Sequence, residues 1–324
     1  MAPCKIDVHH HIIPPAFAKA WSEDPKQSQG MKLPPWTPEH SLEFMKRHDI
    51  GFSIVSLGAP ATSIGSGEST TSFCRQMNEY SAELCKQYPD KFGFFATLPS
   101  LEDTEGCIGE IRYAVEELGA NGVNILTSYG DKYLGHADFQ PIWDELNRLK
   151  TVVFIHPGIE SPIDAITEPG MLPKPIFDWT HETTRAAIHL ISTNTLKPRP
   201  GVKVILPHGG GTLPYIANRV AQLGSAFKLF ADGKTAEEFL EEVRGFYYDV
   251  AFAGYEEPLG LLLGFVKPGH LLYGTDYPFG REDMVKQQLD ALGKVLEVQS
   301  EGVAQSVYRD AAAQLWPGLA KLER

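Results

Sequence analysis

The sequence predicts an α/β fold in which eight parallel strands close into a (β/α)8 barrel, and three observations carry that prediction. Short apolar runs alternate with longer amphipathic stretches from one end of the chain to the other. There are eight such runs, enough to close a barrel. No Gly-x-Gly-x-x-Gly follows the first run, which counts against an open dinucleotide-binding sheet.

Each element has its own signal. The first strand, 6–9, reads Ile-Asp-Val-His and leads into a polar, Pro-rich stretch, 13–40, read as a long loop. Strand 52–57 is followed by a helix over 70–87, which Tyr88-Pro89-Asp90 stops before strand 92–97. A helix over 104–118 ends at Gly119, and Gly122 opens strand 122–126. Helix 138–149 precedes strand 152–156, and the Pro- and Gly-rich stretch 157–180 is the second long loop. Beyond it come helix 182–193, strand 202–206, helices 213–223 and 236–243, strand 246–250, helix 257–265 and strand 271–274. Helices 281–292 and 301–315 finish the chain, the last expected to close the bottom of the barrel. The strands are short and apolar, as parallel strands covered on both faces must be. One barrel domain over 1–324 is expected, with 13–40 and 157–180 as insertions covering its mouth.

Composition narrows the partners. A net charge of −12 argues against nucleic acid or an anionic membrane surface, while leaving a small anion in a pocket open. The longest strongly apolar stretch, 259–266, is far too short to span a bilayer, and no basic-then-apolar leader opens the sequence. Cys4, Cys74, Cys85 and Cys107 have no CxxC spacing and read as reduced thiols of a cytoplasmic protein.

Chemistry gathers behind four of the strands. In Asp7-Val8-His9-His10-His11, side chains two apart share a face of an extended strand. His9 and His11 are therefore expected to point together into the barrel mouth, with Val8 and His10 pointing away. Asp7 shares the parity of the pair and is expected to orient a ligand from behind. His156 ends the fifth strand, His208 follows the sixth and precedes Gly209-Gly210-Gly211, and Asp276 follows the eighth. In a closed barrel all of these converge on the C-terminal mouth. His9, His11, His156 and Asp276 make a three-nitrogen, one-oxygen set suited to one Zn²⁺, with Mn²⁺ or another divalent ion acceptable to the same donors. His208 is then free to act as acid or base. Isolated histidines are usually structural, and His10, His40, His48, His136, His189 and His270 are read so. His156 as a strand-end cap, the Gly209–Gly211 run as a plain tight turn and Asp276 as a helix cap are the bland alternatives. Each residue alone is a weak signal; their convergence outweighs those readings.

The runs DVHHHIIPP, FIHPG, HETT at 181–184, PHGGGTLPYIANR and YGTDYPF resemble the decarboxylase branch of the amidohydrolase superfamily over nearly the whole chain. That branch includes the aminocarboxymuconate-semialdehyde, isoorotate, γ-resorcylate and 6-methylsalicylate decarboxylases. The resemblance implies His9, His11, His156 and Asp276 as metal ligands and His208 as the catalytic histidine. It also implies that Arg219 can reach a substrate carboxylate, in the neighbouring subunit of a homodimer. The carboxylated lysine of binuclear relatives is missing from Asn124–Tyr129, which favours one metal. Ser41 stands where the aminocarboxymuconate enzymes place an arginine for a second carboxylate, which favours a monocarboxylate. The pattern is nearest to the 6-methylsalicylate decarboxylases of fungal polyketide pathways. It implies non-oxidative decarboxylation of a salicylate-type aromatic acid to the phenol and CO₂. His208 or Asp276 would donate the proton. Trp179 and Phe279 are the substrate-binding candidates, with Phe177 and Tyr277 as further possible walls. A metal-dependent hydrolase of a lactone or cyclic amide is the alternative, and a catalytically inert binding protein a more distant one.

Overall fold

The computed structural model describes residues 4–23, 32–59, 68–158 and 172–321. Eight parallel strands follow one another around one sheet: β1 (Lys5–Ile12), β2 (Ile50–Leu57), β3 (Phe92–Thr97), β4 (Gly122–Leu126), β5 (Val152–His156), β6 (Lys203–Leu206), β7 (Tyr247–Asp249) and β8 (Leu271–Leu272). The sheet closes on itself beyond β8. Val8 N donates to Tyr273 O at 3.0 Å, Asp276 N to His9 O at 2.8 Å and His11 N to Tyr277 O at 2.6 Å. The predicted (β/α)8 barrel is the observed fold.

The longer helices are α1 (Pro15–Glu23), α2 (Pro38–Arg47), α3 (Glu68–Gln87), α4 (Thr104–Arg112), α5 (Gln140–Arg148), α6 (Asp178–Ser192), α7 (Leu213–Ala226), α8 (Ala236–Arg244), α9 (Glu256–Phe265) and α10 (Glu282–Glu297). Alternation along the strands sorts the core into two layers. In β5, Val152 and Phe154 join Ile6, Val8, Phe52, Ile54, Phe95, Ile205 and Leu272 inside the barrel. Val153 and Ile155 face the helices instead. Ala311, Ala312 and Leu319 of the C-terminal segment pack onto the inner cluster, and Trp316 Nε1 donates to Asn121 O at 2.7 Å. The bottom of the barrel is sealed there, as expected. The sealing segment is not one regular helix, however: helical turns at Val303–Gln305 and Ala311–Leu315 flank a π turn at Ser306–Asp310.

Two expectations need correction. Stretch 13–40 is not simply a loop. Pro15 opens α1, where its fixed φ suits the first turn, and Phe17 and Trp21, four apart, bury themselves on one face. Thr37 caps α2, with Pro38 at its first position. Residues 24–31 of the first insertion and 159–171 of the second lie outside the described residues.

The second correction concerns β1. The pairing of β1 with β2 is irregular between Asp7 and His10, and a bulge re-aims the side chains beyond it. Val8 therefore packs inside with Ile6 instead of pointing away, and His9 and His11 also face the interior. Asp7 lies with outward-facing His10, not with the pair. The four cysteines are free, and no helix among the described residues is long and apolar enough to cross a membrane.

Candidate metal centre

The C-terminal ends of β1, β5, β6 and β8 bring five polar side chains together at the barrel mouth. His9 Nε2 lies 3.1 Å from His11 Nε2 and 3.4 Å from Asp276 Oδ1, and His11 Nε2 is 3.1 Å from the same oxygen. The His156 ring centroid sits 5.5 Å from that of His9 and 5.1 Å from that of His11. His208 Nε2 approaches the other carboxylate oxygen, Asp276 Oδ2, at 3.6 Å. The backbone bends to achieve this. His208 (φ 54) and Asp276 (φ 59) both adopt the left-handed conformation that a non-glycine residue rarely takes. At His208 the bend turns inward a side chain that would otherwise share the outward parity of Val204 and Leu206.

Distance alone does not separate ligands from an acid or base. His9, His156, His208 and Asp276 each offer an atom within 4.8 Å of the others, and His11 touches two of them. The outer hydrogen bonds of the four imidazoles differ. His9 Nδ1 meets Asp249 Oδ2 at 2.8 Å, His11 Nδ1 meets Ser56 Oγ at 3.1 Å, and His156 Nδ1 meets Pro157 O at 2.9 Å. Each partner can accept a proton from Nδ1, which leaves the inward Nε2 with a lone pair to offer, the form in which imidazole binds a metal. His208 differs: its Nδ1 is buried with no partner among the described residues.

The electrostatics fit a cation at the centre. Burial opposes charging of His9, but the Asp249 and Asp276 carboxylates outweigh it and push its pKa up to about 10. Burial lowers the pKa of His11, and burial together with the neighbouring histidines takes His156 well below its ordinary value. Burial would raise Asp276, yet His9 and the hydrogen bonds from the three nearby imidazoles hold it well below the usual carboxylate range. The chain thus places at one point a carboxylate held in its charged form and, in His11 and His156, two imidazoles that resist protonation. Such a set can hold a divalent ion.

Family comparison decides what sort of barrel this is. The amidohydrolase family model (Amidohydro_2) matches residues 6–318. The chain belongs to the amidohydrolase family. Among relatives of this family member, a decarboxylase, macB, of Penicillium terrestre is 44% identical over 97% of this chain and 95% of that protein. A 6-methylsalicylic acid decarboxylase of Penicillium expansum is 39% identical over 97% of each. The crystal structure of an amidohydrolase II superposes with a TM-score of 0.84 at 27% identity, covering 98% of this chain and 100% of that one. A dihydroxybenzoic acid decarboxylase of Polaromonas sp. JS666, solved with bound manganese and the inhibitor 2-nitroresorcinol, has a TM-score of 0.77 at 21% identity. It covers 98% of this chain and 97% of that one, and at such identity the likeness speaks for the fold alone. The resemblance read from the sequence is borne out, and so is its carboxy-lyase character.

The remaining candidates separate clearly. Trp179 on α6 stands 5.4 Å from His156, ring to ring, with its Nε1 buried and without a partner among the described residues, and Phe279 stands 5.3 Å from His11. Tyr277 is elsewhere: its ring stacks on Phe44 of α2 at 4.0 Å and leans on His10. Phe177 packs against His181 and is partly exposed. Arg219 is exposed on α7. His10 is a structural residue, as expected, but a fully buried one, held by Asp7 Oδ2 at 3.1 Å and Ser41 Oγ at 2.9 Å. Ser41 is further engaged by Trp36 Nε1 at 2.8 Å. Asp7, expected to orient a metal ligand, reaches His9 only through the main chain, accepting from His9 N at 3.1 Å, and it also ties the barrel seam, accepting from Thr275 Oγ1 at 2.6 Å and from Thr275 N at 3.2 Å.

Sequence reasoning missed Asp249 and Ser56. A signal for Asp249 was present, an acid ending the apolar run Phe246-Tyr247-Tyr248-Asp249. A serine within the otherwise apolar β2 was a fainter one.

Proposed function

We propose that this amidohydrolase-family chain decarboxylates a salicylate-type aromatic acid, such as 6-methylsalicylate, to the phenol and CO₂ at a single divalent metal ion. One observation carries the reading: His9, His11 and His156 each have Nδ1 occupied from outside, His9 and His11 turn Nε2 to Asp276 and His156 offers an atom within 4.8 Å of it, while His208 stands beside that carboxylate with no partner for Nδ1 among the described residues. His9, His11, His156 and Asp276 would hold the ion, zinc by donor set or manganese as in the Polaromonas enzyme. When bound, the ion supplies Lewis-acid polarisation to the carboxylate and ortho-hydroxyl oxygens. Trp179 and Phe279 flank the histidines as walls for the ring. His208 Nε2 delivers a proton to the carboxyl-bearing ring carbon, and Asp276 Oδ2 beside it stabilises the charged imidazole. The bond to the carboxyl group then breaks, its electron pair restores aromaticity, and the added proton stays on the carbon that lost CO₂.

Incubating the metal-loaded protein with 6-methylsalicylate in D₂O should release CO₂ and leave one deuterium at that carbon. Ring opening of a lactone or cyclic amide without CO₂ release from any aromatic acid would instead favour the hydrolase.

The second part of the proposal is a homodimer. Tyr215, Arg219, Leu223 and Phe227 recur every fourth residue along α7 and its end, and the three hydrophobic ones are 82%, 42% and 70% exposed. An apolar stripe of this kind suits a second copy, with Arg219 directed at the neighbouring substrate carboxylate. Mixing inactive His208→Ala and Arg219→Ala subunits should restore activity in hybrid dimers. Failure of any mixture to exceed the separate variants sinks the shared site.

A further inference from the structure

We propose that Asp249, at the end of β7, is the positioning residue that sets the tautomer of His9 and fixes the His208 turn to it. The inference rests on the proposed metal site. The carboxylate is fully buried, and each oxygen has a separate task. Oδ2 faces His9 Nδ1 at 2.8 Å. Oδ1 accepts two backbone N–H groups, from His208 at 2.9 Å and from Ala251 at 3.0 Å. No lysine or arginine pairs with it among the described residues; its partners there are His9 and these two amides. A buried carboxylate is costly unless its charge is used. Here it faces His9, whose other ring nitrogen lies 3.4 Å from Asp276 Oδ1.

The consequences are specific. With Oδ1 taken by two amides, Oδ2 is the acceptor left for His9 Nδ1, which places the proton of neutral His9 on Nδ1 and the lone pair on Nε2, directed to the centre. The same carboxylate holds the backbone N–H of His208 in its left-handed turn. One side chain therefore couples a proposed ligand on β1 to the proposed proton donor after β6. Rotation of the His9 ring, or a change in the backbone turn at His208, breaks a hydrogen bond to this buried carboxylate.

Asp249→Asn makes a sharp test, because the asparagine has only one comfortable orientation. Its oxygen must face the two backbone N–H donors, so its NH₂ faces His9 Nδ1. A donor at that position makes Nδ1 the acceptor and moves the His9 proton to Nε2, where it blocks metal binding. Shape and volume barely change.

The experiment strips the full-length protein with chelator and titrates Zn²⁺ against a competing indicator, for the parent and for Asp249→Asn, with thermal unfolding of both metal-free forms. The expected result is about ten- to a hundredfold weaker Zn²⁺ binding in the variant. Metal-free unfolding midpoints should stay close enough to exclude a collapsed site. Equal affinity within about threefold overturns the inference and leaves the metal reading intact. No Zn²⁺ binding by the parent overturns the metal reading and this inference with it. If Asp249→Asn does not fold, ¹⁵N-histidine NMR of the Zn²⁺-loaded parent decides. A slowly exchanging Nδ1–H on His9 supports the role of Asp249, and a proton-free Nδ1 removes it.

Discussion

Replacing Gly211 by alanine should be among the most damaging single-methyl changes in the chain. Its backbone, at φ 63 and ψ −130, lies in a region that only glycine occupies readily. A Cβ there would stand 1.9 Å from Thr180 O and 2.7 Å from Thr180 C, both main-chain atoms in the first turn of α6. Relief requires that turn to move by more than an ångström. That motion strains Thr184 Oγ1, which donates to Thr180 O at 2.9 Å and accepts from Thr212 N at 2.9 Å. The conformational cost is about 1–3 kcal/mol, the overpacking about 1–3 kcal/mol, and two weakened hydrogen bonds add about 1 kcal/mol. A loss of about 3–7 kcal/mol follows, against a typical total stability of about 5–15 kcal/mol. Gly233 is the matched control: its φ is 66, yet a Cβ there meets nothing within 4 Å. Gly233→Ala should therefore cost only about 1–2 kcal/mol. Urea unfolding of both variants beside the parent measures the difference. If Gly211→Ala lost no more than Gly233→Ala, close approach of the glycine turn to α6 would not be what fixes the backbone around His208.

Three other perturbations probe separate links. Thr275→Val removes the 2.6 Å hydrogen bond to buried Asp7 at the barrel seam. It should cost about 1.5–3 kcal/mol in denaturant unfolding, and a loss near zero would mean that the seam does not depend on it. Arg148 and Arg112 hold the Glu145 carboxyl down at about 2, against 4.5 for the free group. A lowered folded-state pKa stabilises above the unfolded value and is lost as pH falls from 4.5 toward 2. Because both arginines are half exposed, Glu145→Gln should lose only about 1–2 kcal/mol at neutral pH, and its stability should meet the parent's near the acid end of that window. A gap that persists there would assign the effect to packing. The outer hydrogen bonds also predict different roles for two neighbouring histidines. His156→Ala should lose metal by elemental analysis. His208→Ala should keep it while decarboxylation falls about 10²- to 10⁴-fold, and loss of metal in His208→Ala would make that residue a ligand.

What the sequence made legible depends on how each feature is encoded. β3, β4 and β5 have the bounds expected of them, because a strand buried on both faces is a continuous apolar run between turn residues. β8 is shorter than its apolar signal, Leu271–Leu272. Beyond it the chain leaves the ladder with β7 to bond the bulged end of β1, a departure that hydropathy does not record. α1 was hidden because a short helix opening at a proline between polar stretches has the composition of a loop. The parity error at Val8 has a different origin. Period two holds only for regular pairing, and the irregularity between Asp7 and His10 depends on partners far along the chain.

The candidate site shows the same division more sharply. Its inward donors were legible because histidine and aspartate at strand ends are rare enough to be noticed, and because a closed barrel brings all strand ends to one place. The atoms that hold the other faces of those imidazoles were not. One is a main-chain carbonyl, Pro157 O, which any residue could provide. Another is Ser56, a common small residue within an apolar strand. The third, Asp249, is 240 positions from the histidine it faces. The proposed distinction between a ligand and a proton donor rests on these partners and not on the histidines themselves. A sequence can therefore show which imidazoles meet at the mouth, while only their outer hydrogen bonds assign work to each.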